Sequence, residues 1–103
     1  MILPALIPGH TDAIVGPSRT LGLAIREAYR ERTGLPYSTY AGRDGVNVRN
    51  DLGGLNLSAV PKVFVECGNM RNATDAALLQ TSGFRERIAA ALAQGILAFL
   101  RRQ

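Results

Sequence analysis

The stretch VPKVFVECGNMRNATDA, residues 60–76, contains the clearest strand signal in the chain. Residues 61–66 are a β-branched and aromatic run that begins at a proline, and a Gly-Asn pair follows at positions 68 and 69. This pattern predicts a buried β-strand that ends at Glu66. Ligands bind at the carboxyl ends of the strands in open α/β sheets, so a carboxylate at that end is well placed for chemistry.

Glu66 is therefore the candidate catalytic residue. A glutamate that ends a buried strand is partly shielded from water, a setting in which a carboxylate can accept a proton and later return it. The alternative is a structural carboxylate neutralised by an arginine, for which the sequence offers Arg43, Arg49 and Arg71. The local pattern leaves both interpretations open.

Hydrophobic periodicity predicts three helices. From Ser18, a natural N-cap, apolar residues recur at helical spacing until Gly34 gives a stop signal. Asn72, with an acidic residue three positions later, is predicted to cap a short helix that runs through Leu79. Ser82 is predicted to cap the last helix, and the apolar face of that helix predicts core packing. That face consists of Phe84, Ile88, Ala91, Leu92, Gly95, Ile96 and Phe99.

The order of elements predicts an α/β fold. Residues 1–7 predict a short strand near a sheet edge, because Pro4 cannot donate to a ladder. Strand, helix, loop, strand, helix and helix then favour a layered domain over residues 1–103 with a mixed or partly parallel sheet and packed helices. Two strands are few for a free-standing sheet, so the chain is expected to be part of a larger one. Its exposed strand edges would also allow self-association.

Residues 37–58 lose periodicity and are rich in Gly, Asn and Asp, which predicts a long loop. Long loops in compact domains are often functional, but ordinary turn chemistry accounts for the same residues equally well. The functional alternative is a non-catalytic module that binds a ligand or a protein partner through this loop.

Composition narrows the choice of partners. The net charge of +4 comes almost wholly from arginine, and Lys62 is the only lysine. The arginines are scattered and no basic block is interleaved with aromatics, which disfavours nucleic-acid binding. Cys67 is the only cysteine, so no disulfide can close within the chain. The apolar start lacks a basic segment and no stretch has the length of a membrane span, so the chain as written is expected to stay in the cytoplasm.

His10, the only histidine, follows a Pro-Gly step. Such a step can present a metal ligand, but a zinc site needs three protein ligands and an open position. With no second histidine, the partners would have to be carboxylates such as Asp12 or Glu27, which is unusual for zinc. A solvent-exposed turn histidine is the favoured interpretation.

Residues 60–76 resemble the closing motif of the zinc-dependent N-acetylmuramoyl-L-alanine amidases, which carry a proline, an apolar strand, a glutamate, a small-residue turn, an asparagine and a helix. The segments RDG at 43–45 and DLGGLN at 51–56 further resemble the actinobacterial branch, including the mycobacterial cell-wall amidases. The resemblance runs from about Ser18 to the C-terminus. It implies the C-terminal half of an amidase catalytic domain, with a partial three-layer amidase-like fold.

The resemblance implies hydrolysis of the amide between N-acetylmuramic acid and the L-alanine of the peptidoglycan stem peptide, in the periplasm or cell wall. Zinc would polarise the carbonyl and activate a water molecule. Glu66 would take the proton from that water and pass it to the leaving amine. Arg43, Asn56 and Arg71 would lie on the substrate side, and Asn72 would cap the helix after the turn.

The sequence departs from the family pattern in the residues that would bind zinc. The family's zinc ligands are a histidine, a glutamate and a second histidine, all upstream of the helix predicted to begin at Ser18. His10 aligns with a later turn that is not a ligand. We therefore expect the chain to keep the general base and the substrate-side loop, to lack most of the zinc ligands, and to be a poor hydrolase alone.

Overall fold

The computed structural model describes residues 1–35, 42 and 44–102, and the predicted α/β class with a partly parallel sheet is confirmed. The elements in chain order are β1 (Ile2–Pro4), α1 (Asp12–Thr33), β2 (Asn47–Arg49), α2 (Gly53–Asn56), α3 (Ala73–Leu79) and α4 (Ser82–Leu100). Helix α1 contacts both β1 and α4, and α3 packs on α4.

Strands β1 and β2 form the small two-stranded sheet of the described residues, and β1 also carries a bridge on its other side. Strand β1 pairs in parallel with β2, with Ile2 opposite Asn47 and Pro4 opposite Arg49. On its other side, Ile2 forms an antiparallel bridge with Phe64, in which each amide donates to the other carbonyl, at 2.7 and 3.0 Å. The predicted position near a sheet edge is confirmed, because β1 is one of the two strands of the sheet in the described residues and its other edge carries the single bridge to Phe64.

The predicted strand over residues 61–66 was wrong in extent, since only Phe64 pairs. In an antiparallel ladder, hydrogen-bonded pairs recur every second residue, so the next pair would be Pro4 with Lys62. Pro4 has no N–H, and the N–H of Lys62 donates instead to the hydroxyl of Ser18, at 2.9 Å. The segment therefore passes β1 with a single bridge.

Helix α1 begins at Asp12, six positions before the predicted start at Ser18. The fully buried Thr11 organises the turn before it, because its hydroxyl accepts from the N–H of Ile7 at 2.6 Å and donates to Ala5 O at 2.7 Å. The helix continues through Pro17, although a proline removes one intrahelical hydrogen bond. Ser18 is consequently an interior helix residue and not an N-cap.

The predicted end of this helix is confirmed. Gly34 adopts the left-handed conformation, with φ 71°, and its N–H donates to the carbonyl of Arg30 at 2.8 Å. A glycine reaches this conformation without steric cost, which is why it is a common helix stop.

The loop predicted over residues 37–58 was wrong in part, because it contains β2 and α2. These elements are short and stand among turn residues, so no periodic pattern reveals them. Gly42 has a φ of 72°, and a Cβ there would lie 2.0 Å from the carbonyl oxygen of Val46. A side chain at position 42 would therefore clash with the backbone that leads into β2. Residues 36–41 and 43 lie outside the described part of the chain.

The apolar face predicted for the last helix is largely confirmed. Phe84, Ile88, Ala91, Gly95 and Phe99 are buried, whereas Leu92 is half-buried and Ile96 is exposed. The cap differs by one residue, because the hydroxyl of Thr81, not of Ser82, accepts from the N–H of Phe84 at 3.4 Å. No helix within the described residues is both long and apolar enough to cross a membrane.

Candidate active site

Glu66 lies two residues after the Phe64 bridge and is exposed. The shielding expected from a buried strand end was wrong, because the segment forms no further ladder. Two cationic groups interact with its carboxylate. Burial lowers the pKa of the Met1 amino group, and the negative charge of Glu66 partly offsets this shift. The hydrogen bond and charge of Asp51 raise the pKa of Arg49, and Glu66 makes a smaller contribution in the same direction.

Arg49 is also held by a bidentate ion pair. Its Nε and Nη2 donate to the two carboxylate oxygens of Asp51 at 2.8 and 2.6 Å. This hydrogen bonding lowers the pKa of Asp51. The fork geometry fixes the direction of the guanidinium at the end of β2.

Asn56 is only 5% exposed, and both ends of its side-chain amide are engaged. The Oδ1 atom accepts from the N–H of Leu52 at 3.0 Å, and Nδ2 donates to the carbonyl of Arg49 at 2.9 Å. Asn56 thus ties α2 to the end of β2. A direct contact between Asn56 and substrate stays a prediction.

The turn after Glu66 is closed by side-chain hydrogen bonds to the backbone. The carboxylate of Asp75 accepts from the N–H of Asn69, and Asn72 Oδ1 accepts from the N–H of Asp75, both at 3.0 Å. The predicted Asn72 cap and the helix through Leu79 are confirmed. Arg71 lies in this turn and is exposed, and its proposed contact with substrate stays a prediction.

Tyr29 reaches the same turn from α1. Its hydroxyl donates to the carbonyl of Cys67, the residue directly after Glu66. Burial is the main cause of the raised pKa of Tyr29, and burial also raises the pKa of the half-buried Cys67 thiol. The sequence analysis did not select Tyr29 as a functional residue. The signal that could have found it is a tyrosine on the apolar side of a helix, because a buried tyrosine hydroxyl usually has a hydrogen-bond partner.

Comparison with known proteins identifies the family. The family model described as N-acetylmuramoyl-L-alanine amidase matches residues 8–98, which is most of the chain. The chain belongs to this amidase family. The resemblance inferred from residues 60–76 is thereby confirmed.

Three similar amidases come from mycobacteria. An N-acetylmuramoyl-L-alanine amidase of Mycobacterium tuberculosis is 40% identical over 88 residues, which cover 85% of this chain and 36% of the relative. The crystal structure of an N-acetylmuramyl-L-alanine amidase from Mycobacterium smegmatis superposes with a TM-score of 0.87 at 37% identity, over 99% of this chain and 46% of the other. The apo enzyme from Mycobacterium abscessus gives 0.83 at 37% identity, over 96% and 45%.

These alignments fix the scope of the likeness. The fold of this chain matches the amidase fold, but the chain spans less than half the length of the relatives that it matches. Statements about the activity of a whole amidase therefore enter below as proposals.

A zinc site does not fit the described residues of this amidase chain. His10 is exposed in the turn before α1, and its backbone N–H donates to the carbonyl of Ile7 at 2.9 Å. Within the ranges 1–35, 42 and 44–102, no group of three or more His, Cys, Asp or Glu side chains is arranged to hold a metal ion. Arg43, the remaining predicted substrate contact, lies outside these ranges.

Proposed function

We propose that this chain contributes the general acid–base residue Glu66 to hydrolysis of the amide between N-acetylmuramic acid and L-alanine in peptidoglycan. The observation that carries the proposal is the family match across residues 8–98, which includes Glu66 and the turn that follows it. The likeness to the mycobacterial amidase folds supports the same conclusion.

The role of Glu66 follows from its chemistry and exposure. An exposed carboxylate at the start of a fixed turn can accept a proton from a water molecule as the water oxygen attacks the amide carbonyl. When the C–N bond breaks, the same carboxyl group returns that proton to the leaving amine.

We further propose that zinc is the cofactor of the whole amidase domain, as the family resemblance implies, with its ligands outside this chain. The described residues do not fit a zinc site, so no step of the chemistry above is assigned to the metal. The substrate would be the stem peptide of the cell wall, with Arg43, Asn56 and Arg71 on the substrate side and with action in the periplasm or cell wall.

Reconstitution tests this proposal. The chain would be mixed with the separately produced part of the Mycobacterium tuberculosis relative that lies outside the matched region, in the presence of zinc, and release of stem peptide from peptidoglycan would be measured. We expect hydrolysis by the mixture and a loss of at least about a hundredfold with Glu66→Gln.

Glu86→Gln is the matched control, because Glu86 is exposed on α4 and lies outside residues 60–76. Its mixture should hydrolyse peptidoglycan at the wild-type rate. Equal rates for wild type and Glu66→Gln, or no hydrolysis by the wild-type mixture, would count against the proposal. Cosedimentation of the chain with peptidoglycan without hydrolysis would instead support the alternative of a non-catalytic wall-binding module.

A further inference from the structure

The backbone on either side of Glu66 is held by long-range hydrogen bonds and not by a ladder. Before Glu66, the bridge between Ile2 and Phe64 fixes the chain through two backbone hydrogen bonds. That pairing stops at Pro4 and Lys62, for the reasons given above. After Glu66, the Tyr29 hydroxyl binds the carbonyl of Cys67.

Tyr29 is a suitable anchor because its own position is fixed. It lies in the last third of α1, and α1 packs closely on α4 where Gly95 faces the backbone of Ile25. The ring is half-buried, and burial raises the pKa of the phenol, so the hydroxyl keeps its proton and acts as a donor. A donor on a packed helix restrains the carbonyl that it binds.

The other side of the turn is fixed independently by α3. A Cβ on Gly68 would lie 3.1 Å from a methyl group of Leu79, so the chain passes close to this helix. Asp75 and Asn72 hold the rest of the turn through the backbone hydrogen bonds described above. The backbone at Cys67 is therefore restrained by Tyr29 of α1, and the residues that follow it are restrained by α3.

We infer that Tyr29 is a positioning residue, whose hydrogen bond to the carbonyl of Cys67 sets the direction of the Glu66 carboxylate. The inference rests on the proposed function of Glu66. Tyr29 acts through the backbone, since its hydroxyl is engaged by Cys67 and has no part in the proton transfer. Catalytic groups displaced by about 1 Å can lose roughly a hundredfold in rate, so a single such restraint has a measurable effect.

Nuclear magnetic resonance relaxation on the full chain gives the first test. Tyr29→Phe keeps the ring and removes only the hydroxyl. We expect the backbone order parameters of Glu66 and Cys67 to fall from about 0.85 towards 0.6, while those of α4 stay unchanged. The control is Thr20→Val, which removes a hydroxyl that donates to the carbonyl of Gly16 elsewhere on α1. Unchanged order parameters at Glu66 in Tyr29→Phe would overturn the inference.

Kinetics of the reconstituted amidase give the second test. We expect Tyr29→Phe to lower kcat by roughly tenfold to a hundredfold with KM within about twofold of wild type, because substrate contacts are untouched. Loss of activity in Glu66→Gln with a wild-type kcat in Tyr29→Phe would refute the positioning role alone. A wild-type mixture without activity would count against the proposed function, and the relaxation data would still decide the inference.

Discussion

The hydroxyl of Ser18, inside helix α1, accepts a hydrogen bond from the backbone N–H of Lys62 at 2.9 Å. The two residues lie 44 positions apart, and Ser18 is fully buried. This contact replaces the ladder hydrogen bond that Pro4 and Lys62 would otherwise make. It fixes the approach of the segment that carries Glu66 to the helix.

Ser18→Ala should therefore destabilise the chain. It removes the acceptor of the Lys62 N–H, and because Lys62 is exposed, water can replace the serine hydroxyl as the acceptor. We therefore expect the loss of one ordinary hydrogen bond, about 0.5–1.5 kcal/mol. For a domain of this size, each kcal/mol lowers Tm by about 4–8 °C, which thermal unfolding by circular dichroism would detect. Ser58→Ala is the control, since its hydroxyl bonds locally in an exposed turn, where it donates to the carbonyl of Val60 and accepts from the N–H of the same residue. The Tm of this variant should stay near wild type.

The close packing of α1 on α4 predicts opposite outcomes for two glycines of α4. A Cβ at Gly95 would lie 2.5 Å from Cα of Ile25, a backbone atom that cannot move aside alone. We expect Gly95→Ala to lower the free energy of unfolding by about 1–3 kcal/mol despite the better helix propensity of alanine.

Gly83→Ala tests the same substitution where space is open. A Cβ at Gly83 meets no heavy atom within 4 Å, so alanine should be neutral or stabilise by up to about 1 kcal/mol. Urea unfolding of both variants measures the difference. A Gly95→Ala variant as stable as Gly83→Ala would contradict the observed helix contact.

Cap signals and helical periodicity were sufficient to predict α3 and α4. Asn72 and the apolar face of α4 depend on residues within a few positions of one another, and local patterns carry that information. Glu66 could be selected in the same way, as the residue at the end of a β-branched run.

The errors arose where distant residues decide the structure. The predicted strand is cut short by Pro4 and by Ser18, which lies 44 positions from Lys62. The contact between Tyr29 and Cys67 spans 38 positions. No periodicity links residues so far apart, so these features appear only in three dimensions.

The raised pKa of Tyr29 predicts a loss of stability at alkaline pH. The unfolded phenol releases its proton near pH 10, whereas the folded phenol retains it, mainly because of burial. Above this pH the unfolded state binds fewer protons than the folded state, so the free energy of unfolding falls as pH rises. The contribution of Tyr29 to the free energy of unfolding is fully present below about pH 10 and decreases as the pH rises further.

Urea unfolding between about pH 8 and 11 checks this sign. The wild type should lose stability more steeply above pH 10 than Tyr29→Phe, because the two proteins differ only in the Tyr29 hydroxyl. Parallel pH profiles for the two proteins would show that the Tyr29 hydroxyl titrates normally and is not held by Cys67.

The isolated chain should be a poor amidase even though it carries Glu66. The described residues assemble no group of three metal-ligating side chains, and His10 stands alone in an exposed turn. Isothermal titration calorimetry should therefore give the same weak zinc binding for wild type, Glu66→Ala and His10→Ala, and none should release stem peptide from peptidoglycan. Micromolar zinc affinity combined with turnover by the isolated wild type would show that this chain builds a complete metal site, and the role assigned to the rest of the amidase domain would then be wrong.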